Sequence, residues 1–257
     1  MWYQICQYFK FICKSTNQHG VHSPFVYNLV TKCFYDKTNY EAYKTILEYR
    51  KELLKSKSSI NVTDLGKGSL KLKSNTRTVS KMAKLAGSSY FRTKLMYRIV
   101  NYFQCKNILE LGTSLGIATQ AMHLGNPKAH ITTIEGCSNL MEFAKNRISK
   151  KKQTGITFIN EEFQKAINNL KDHSFDLVFF DGNHQKNKTL QYFETLLPLI
   201  HNDTLFIFDD IYWSKEMTEA WEQIKQHPKV TVTIDTFYWG LVFFRKEQNK
   251  EHFTIRV

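Results

Sequence analysis

Several things are scarce in this 257-residue chain. Four prolines and eleven glycines are too few for a collagen-like or low-complexity polymer. The five cysteines (Cys6, Cys13, Cys33, Cys105 and Cys137) are odd in number and show no C-x-x-C spacing. That argues against a disulfide scaffold and a cysteine zinc site, and for a reducing, cytoplasmic setting. No stretch approaches the ~20 uncharged apolar residues of a spanning helix. The start lacks the basic, apolar, small-residue order of a cleaved signal. Acidic residues are scarce in one part only: residues 1–105 hold 18 Lys+Arg against 5 Asp+Glu, and residues 106–257 hold 18 of each.

What is present is core material. Hydrophobic residues make up 42%, with 19 Phe, 13 Tyr and 4 Trp, so a folded domain is expected and overall disorder is not. The whole net charge of +13 lies in the first 105 residues. It divides the chain into a basic N-terminal region and a charge-balanced remainder. Simple solvation explains such an excess, and so does an anionic partner such as RNA, a phosphorylated substrate or anionic lipid. The densest stretch runs from Lys55 to Lys84, with Asp64 its single acid. Its polar, glycine-containing part near 56–77 reads as a mobile loop.

Periodicity predicts helices over residues 2–13, from Pro24 behind a Ser23 cap, over 40–55, near 79–86 and over 95–103. From residue 106, apolar runs at 107–112, 130–135, 156–160, 176–181 and 204–210 alternate with helical stretches. This is the pattern of a parallel sheet buried on both faces. Runs 230–237 and 239–246 leave no room for a helix between them and predict an antiparallel hairpin at one edge.

The segment ILELGTSLG (108–116) joins a strand to a helix through Gly112, Thr113, Ser114 and Gly116. Its glycines allow close backbone approach to a ligand, and the helix start attracts polar or anionic groups. Glu135 ends the next strand, where a carboxylate suits a ribose diol. The loop is neither G-x-G-x-x-G nor a P-loop. It also fits G-x-S-x-G, the pattern of a hydrolase nucleophile turn, but follows the first strand where such turns follow several. Asp181, Asp209 and Asp210 lie at strand C-terminal ends, the ligand-binding edge of an open α/β sheet. Three such carboxylates invite a divalent ion. His184 is a candidate proton acceptor.

On these motifs the chain resembles the class I S-adenosylmethionine-dependent methyltransferases over about 95–246. The resemblance implies a Rossmann-like α/β fold. Its mostly parallel seven-stranded sheet has order 3-2-1-4-5-7-6, with an antiparallel terminal hairpin. It implies that Glu110, Gly112, Thr113, Ser114 and Gly116 surround the methionine part of S-adenosylmethionine, with Glu135 on the ribose and Glu162 near adenine. The aspartates look like those of metal-dependent O-methyltransferases, which implies a Mg²⁺ site at Asp181, Asp209 and Asp210. The expected architecture is a basic helical cap over 1–94 and a catalytic, cofactor-binding domain over 95–257. The expected reaction is methyl transfer to an oxygen of a small-molecule acceptor, with Asp181 and His184 catalytic. The alternatives are an RNA methyltransferase docking through the basic region, and a ligand-binding protein of this fold without turnover.

Three further segments carry expectations. The phrase HGVHSPF (19–25) resembles a helical leader of bacterial class I methyltransferases, and His19 or His22 is a candidate for the substrate pocket. DLGKGS (64–69) reads as a turn, with a phosphate-binding loop at Lys67 as its alternative. The leader WYQICQYFKFICK could lie aromatic side down on a membrane with Lys10 and Lys14 outward. Packing on the adjacent domain is the ordinary outcome, and no membrane partner is expected.

Overall fold

The basic leader folds as helices laid over one side and one end of a sheet. The structure is a computed structural model and describes residues 2–63, 74–151, 153–170 and 173–257. Helix α1 spans Trp2–Lys14 and α2 spans Pro24–Leu29. The Ser23 hydroxyl caps α2 by accepting from Val26 N, as its placement before Pro24 predicts. A π-turn (Val30–Phe34) and α3 (Ala42–Lys55) follow. The loop expected near 56–77 is in part a hairpin: β1 (Ser59–Asn61) pairs antiparallel with β2 (Thr76–Thr78). Ile60 and Arg77 face each other there and are both buried. The DLGKGS turn and Lys67 lie outside the described residues. Helices α4 (Val79–Leu85) and α5 (Tyr90–Phe103) complete this part, with Ser89 capping α5.

The alternation then unfolds as β3 (Asn107–Leu111), α6 (Ile117–Gly125), β4 (His130–Ile134), α7 (Ser138–Lys150), β5 (Ile156–Ile159), α8 (Phe163–Asn168) and β6 (Leu177–Phe180). It continues as α9 (Lys186–Leu196), β7 (Leu205–Asp209), α10 (Lys215–Gln226), β8 (Val232–Asp235), β9 (Trp239–Phe243) and β10 (Glu251–Thr254). The sheet order is β5-β4-β3-β6-β7-β9-β8-β10. Strands β3 to β7 are parallel, and β9 runs antiparallel to both β7 and β8. This contains the expected order 3-2-1-4-5-7-6. The expected count of seven is corrected to eight, because β10 adds parallel to β8 at the edge. The residues after it also hold the leader, since Thr16 N donates to Thr254 O at 2.9 Å and Arg256 N to Thr16 O at 3.0 Å.

Helices cover both faces. One core joins α2, α3, α5 and α6 to one side of the sheet, with Leu29, Met96, Val100, Ile108 and Phe179 buried in it. The other places α8, α9 and α10 against Leu109, Val178, Phe206 and Phe208. Full cover on both faces is why the central strands read as unbroken apolar runs. A smaller cluster packs β1 and α4 against Leu115 and Leu140, beside the ligand-binding edge.

Candidate functional site

The C-terminal ends of β3, β4, β6 and β7 open into one cavity of about 740 Å³. Its floor is made by the turns that follow those strands. After β3 the chain turns through Gly112 at φ +110°. A side chain there would put its Cβ 2.1 Å from Asp181 O, so only glycine lets β3 and β6 end this close together. Ser114 lines the cavity, as do Gly112, Glu135, Glu162 and Asp181.

Glu135 closes the turn from the side. One carboxylate oxygen accepts from Ser114 N at 2.9 Å and the other from Cys137 N at 3.0 Å. The acid thus joins the glycine turn to the start of α7 while lining the cavity. Glu162 also has two roles, since it caps α8 by accepting from Lys165 N at 3.1 Å and lines the same wall. Leu140 and Phe163 flank this end, and Phe163 packs so near Gly182 that a Cβ there would come within 2.5 Å of the ring.

Glu110, Thr113 and Gly116 do not line the cavity. They lie behind its turn. Glu110 is fully buried and accepts from Thr119 Oγ1 at 2.5 Å and Thr133 Oγ1 at 2.6 Å. Thr133 in turn pairs with the Thr113 hydroxyl at 2.5 Å. Burial pushes the Glu110 carboxyl up to about 7, against the pull of those hydroxyls. Both hydroxyls reach Oε2, while the buried Oε1 has no hydrogen-bond partner among the described residues; the bonds that are made tie the turn to β4 and α6.

At the other end of the cavity stand Asp181, Asp209, Asp210 and His184. Loss of solvent, then the neighbouring Asp209 and Asp210 charges, hold the Asp181 carboxyl well above the usual carboxylate range. His184 Nε2 lies 3.9 Å from Asp181 Oδ1. A guanidinium enters the cluster from α5: Arg92 Nη1 is 2.9 Å from Asp209 Oδ1 and 4.0 Å from Asp210 Oδ1. Burial opposes the Arg92 charge, but Asp209, Asp210 and Asp181 outweigh it and raise its pKa further.

Five residues other than glycine that line this cavity hold positive φ: Ser114, Asn183, His184, Asp210 and Phe237. Among the described residues only Gln104 shares that state elsewhere. Backbone strain collects where a site constrains the chain. Asn183 Nδ2 donates to Tyr192 OH at 2.9 Å, while its buried Oδ1 has no partner among the described residues. Such an acceptor is placed for a ligand donor. Tyr8, Tyr212, Trp213, Phe237 and Tyr238 form an aromatic wall around this end. Tyr212 donates a short hydrogen bond to Asp235, and Asp235 accepts from Phe237 N at 2.8 Å, which holds the wall in place. Sequence reasoning missed that wall and Arg92. The run FIFDDIYW carried a signal for Tyr212 and Trp213, but none placed α1 or α5 beside them.

Residues 109–211 match the family model described as a methyltransferase domain. Solved structures share the fold across most of the chain. A methyltransferase of Podospora anserina with SAH bound superposes with TM-score 0.59 at 16% identity, over 88% of this chain and 97% of that one. The O-methyltransferase TomG of Streptomyces achromogenes, in complex with SAM, gives 0.57 at 17%, over 81% and 91%. An O-methyltransferase of Bacillus cereus in complex with SAH gives 0.53 at 16%, over 80% and 92%. At these identities the likeness is one of fold.

The structure departs from the expected Mg²⁺ site. Among the described residues no group of three or more His, Cys, Asp or Glu is arranged to hold a metal ion. The physical reason is Arg92. The expectation of an uncompensated triad overlooked a cation supplied from 117 residues earlier in the chain. With a guanidinium on Asp209, the three carboxylates do not fit a divalent ion. His19 and His22 do not line the cavity either. Both are exposed beside the Ser23 cap.

Proposed function

We propose that the protein is an S-adenosylmethionine-dependent methyltransferase that methylates a hydroxyl oxygen of a small acceptor with a flat or apolar body. One observation carries the reading. A single cavity joins the glycine turn and Glu135 to a polar cluster under an aromatic wall. Its charged lining is five carboxylates (Glu135, Glu162, Asp181, Asp209, Asp210) against Arg77 and Arg92. That balance suits a cofactor bearing a sulfonium and an ammonium. It opposes a polyanion, so the basic region gives the RNA alternative no support at this site.

Bound S-adenosylmethionine would supply the methyl group. In this reading Glu135 holds the ribose hydroxyls, Glu162 marks the adenine end, and Leu140 and Phe163 flank the base. Gly112 and Ser114 border the methionine part, with Glu110, Thr113 and Gly116 holding the turn from behind. The aromatic wall excludes water and orients the acceptor. His184 is the group proposed to take the acceptor proton, since an imidazole suits that exchange near neutrality. Asp181 shapes the field beside it. Arg92 holds Asp209 and Asp210 in place through its ion pairs. The residues before 95 serve as the cap, because α1 and α4 supply much of the cavity mouth.

Calorimetry with S-adenosylmethionine is the direct test, followed by mass spectrometry of hydroxylated aromatic acceptors turned over in EDTA. The wild type should bind, and Glu135→Ala should weaken binding about tenfold or more. Absence of heat from the wild type, or an unaltered Glu135→Ala, would sink the cofactor assignment. Binding without turnover of any acceptor would favour the ligand-binding alternative.

A further inference from the structure

Helix α1 is amphipathic in the opposite sense from a helix that packs on a domain. At about 100° per residue, Gln4, Phe11 and Ser15 share the side toward the body. There Phe11 is buried with its ring 5.6 Å from Phe237, and Gln4 Nε2 reaches Trp213 O at 3.4 Å. Tyr3, on the flank, donates to Thr218 Oγ1 at 2.8 Å. The outward side carries Trp2, Ile5, Phe9 and Ile12, at helical spacings of three and four. They are 77%, 41%, 65% and 37% exposed. The helix is thus tethered by Phe11 and by the hydrogen bonds of Tyr3 and Gln4, and shows a second, apolar side to solvent. Such a stripe marks a docking face.

Its position and charge say what docks. Ile5, Tyr8 and Phe9 stand at the cavity mouth, where Leu85 and Tyr238 are also exposed. Residues 1–35 contain no Asp or Glu. Lys10 borders the stripe, the exposed Lys14 ends the helix, and the exposed Lys81 and Lys84 sit on α4 beside Leu85. An apolar stripe edged by lysines matches an anionic lipid surface. A second copy of the chain matches poorly. The four side chains offer roughly 400–500 Å², about half of the ~800 Å² per partner of a stable interface, and two copies would oppose their lysines. At 13 residues, α1 spans about 20 Å. No helix among the described residues is long and apolar enough to cross a membrane, so α1 would lie in the interface.

We infer that α1 is an interfacial helix that seats the mouth of the cavity on an anionic membrane surface. This goes beyond methyl transfer and does not depend on it. The test is sedimentation of the full chain with phosphatidylcholine vesicles, with and without roughly a third phosphatidylglycerol. The chain should pellet with the anionic vesicles and less with the neutral ones, and salt should weaken the association. Trp2→Glu with Ile12→Glu changes two residues that do not line the cavity. It should lower vesicle binding about tenfold or more while melting temperature and S-adenosylmethionine affinity stay unchanged. Should that variant misfold, Lys10→Glu with Lys14→Glu, both exposed, should give a loss in the same direction. A chain that stays in the supernatant at low salt overturns the inference. So does a folded Trp2/Ile12 variant that binds like wild type. A dimer that this variant converts to monomer, with no vesicle binding by either, assigns the stripe to a second copy instead.

Discussion

Arg92→Gln removes the guanidinium that, among the described residues, pairs with Asp209, and its consequences follow from the geometry. Arg92 is 17% exposed and Asp209 6%, so the pair is largely shielded from water. Breaking a shielded pair costs about 3 kcal/mol. For a chain of this size that lowers the melting temperature by roughly 6–12 °C. The deficit should depend on pH with a definite sign. The Asp181 carboxyl is already raised, so the folded state holds its proton more tightly than the unfolded chain. Stability contributed this way falls as pH rises above the ordinary carboxylate value of ~3.9. Removing Arg92 takes away the charge that lowers the Asp181 pKa and so raises it further, and the variant should be worst near neutrality and recover toward acid. A divalent ion would then find three carboxylates with no resident cation. Mn²⁺ at a hundred times its dissociation constant would restore about 2.7 kcal/mol. The assay is paired melting curves with and without Mn²⁺, with electron paramagnetic resonance of the bound ion. Wild type should not respond, Arg92→Gln should gain a bound ion, and Arg92→Lys should stay blind to it. A wild type that binds Mn²⁺ at micromolar levels refutes the reasoning, as does a folded Arg92→Gln that ignores it.

Two further outcomes test the frame around the cavity. Gly112→Ala should destabilise the chain by about 3 kcal/mol or more in urea unfolding, because its Cβ meets Asp181 O at 2.1 Å with φ at +110°; a loss under 1 kcal/mol would mean that the two turns can separate. Glu110→Gln should flatten the pH dependence of the melting temperature between 4.5 and about 7. The raised carboxyl makes the wild type lose stability across that window as pH rises, and an unchanged profile would show that Glu110 does not titrate there.

The sheet was legible because its central strands are buried on both faces. NILEL, LVFF and LFIFD can satisfy their backbones and side chains together only in the middle of a covered parallel sheet. The acids at their ends were legible for a related reason, since strand C-termini in such sheets converge. Strand β10 was overlooked because EHFT is exposed at Glu251 and His252 and buried only at Phe253, a weak alternation. Arg92 left no trace in spacing. Its partner is set by how α5 lies across the strand ends, and that depends on three-dimensional packing. The same holds for α1. Its composition shows that one face is apolar, but its hydrogen bonds from Tyr3 and Gln4 decide which face turns inward. The family resemblance implied that Glu110 surrounds the methionine part of the cofactor, and its side chain does not line the cavity. The strand's alternation points its side chain into the interior instead, where Thr119 and Thr133 receive it.

The cavity concentrates two unfavourable features, strained backbone and like charge, and the sheet makes both sustainable. Asn183, His184 and Asp210 hold positive φ immediately after strands whose register is fixed on both sides. A turn anchored so firmly cannot relax by sliding its strand, since a one-residue slip would turn the buried face of β6 or β7 toward the wrong layer. The same anchoring holds Asp181 and Asp209 near each other despite their repulsion. Part of that repulsion is expressed in the raised proton affinity of Asp181 and part is offset by Arg92, and both effects are local. What is left over is a surplus of negative charge facing the cavity rather than the core. Under the proposed reading, a sulfonium compound should therefore bind with stronger salt dependence than its neutral thioether product, because only the former carries the extra positive charge into that field. Calorimetric titration of both at two ionic strengths decides it: equal salt slopes would mean that the surplus is screened before it reaches the reacting centre.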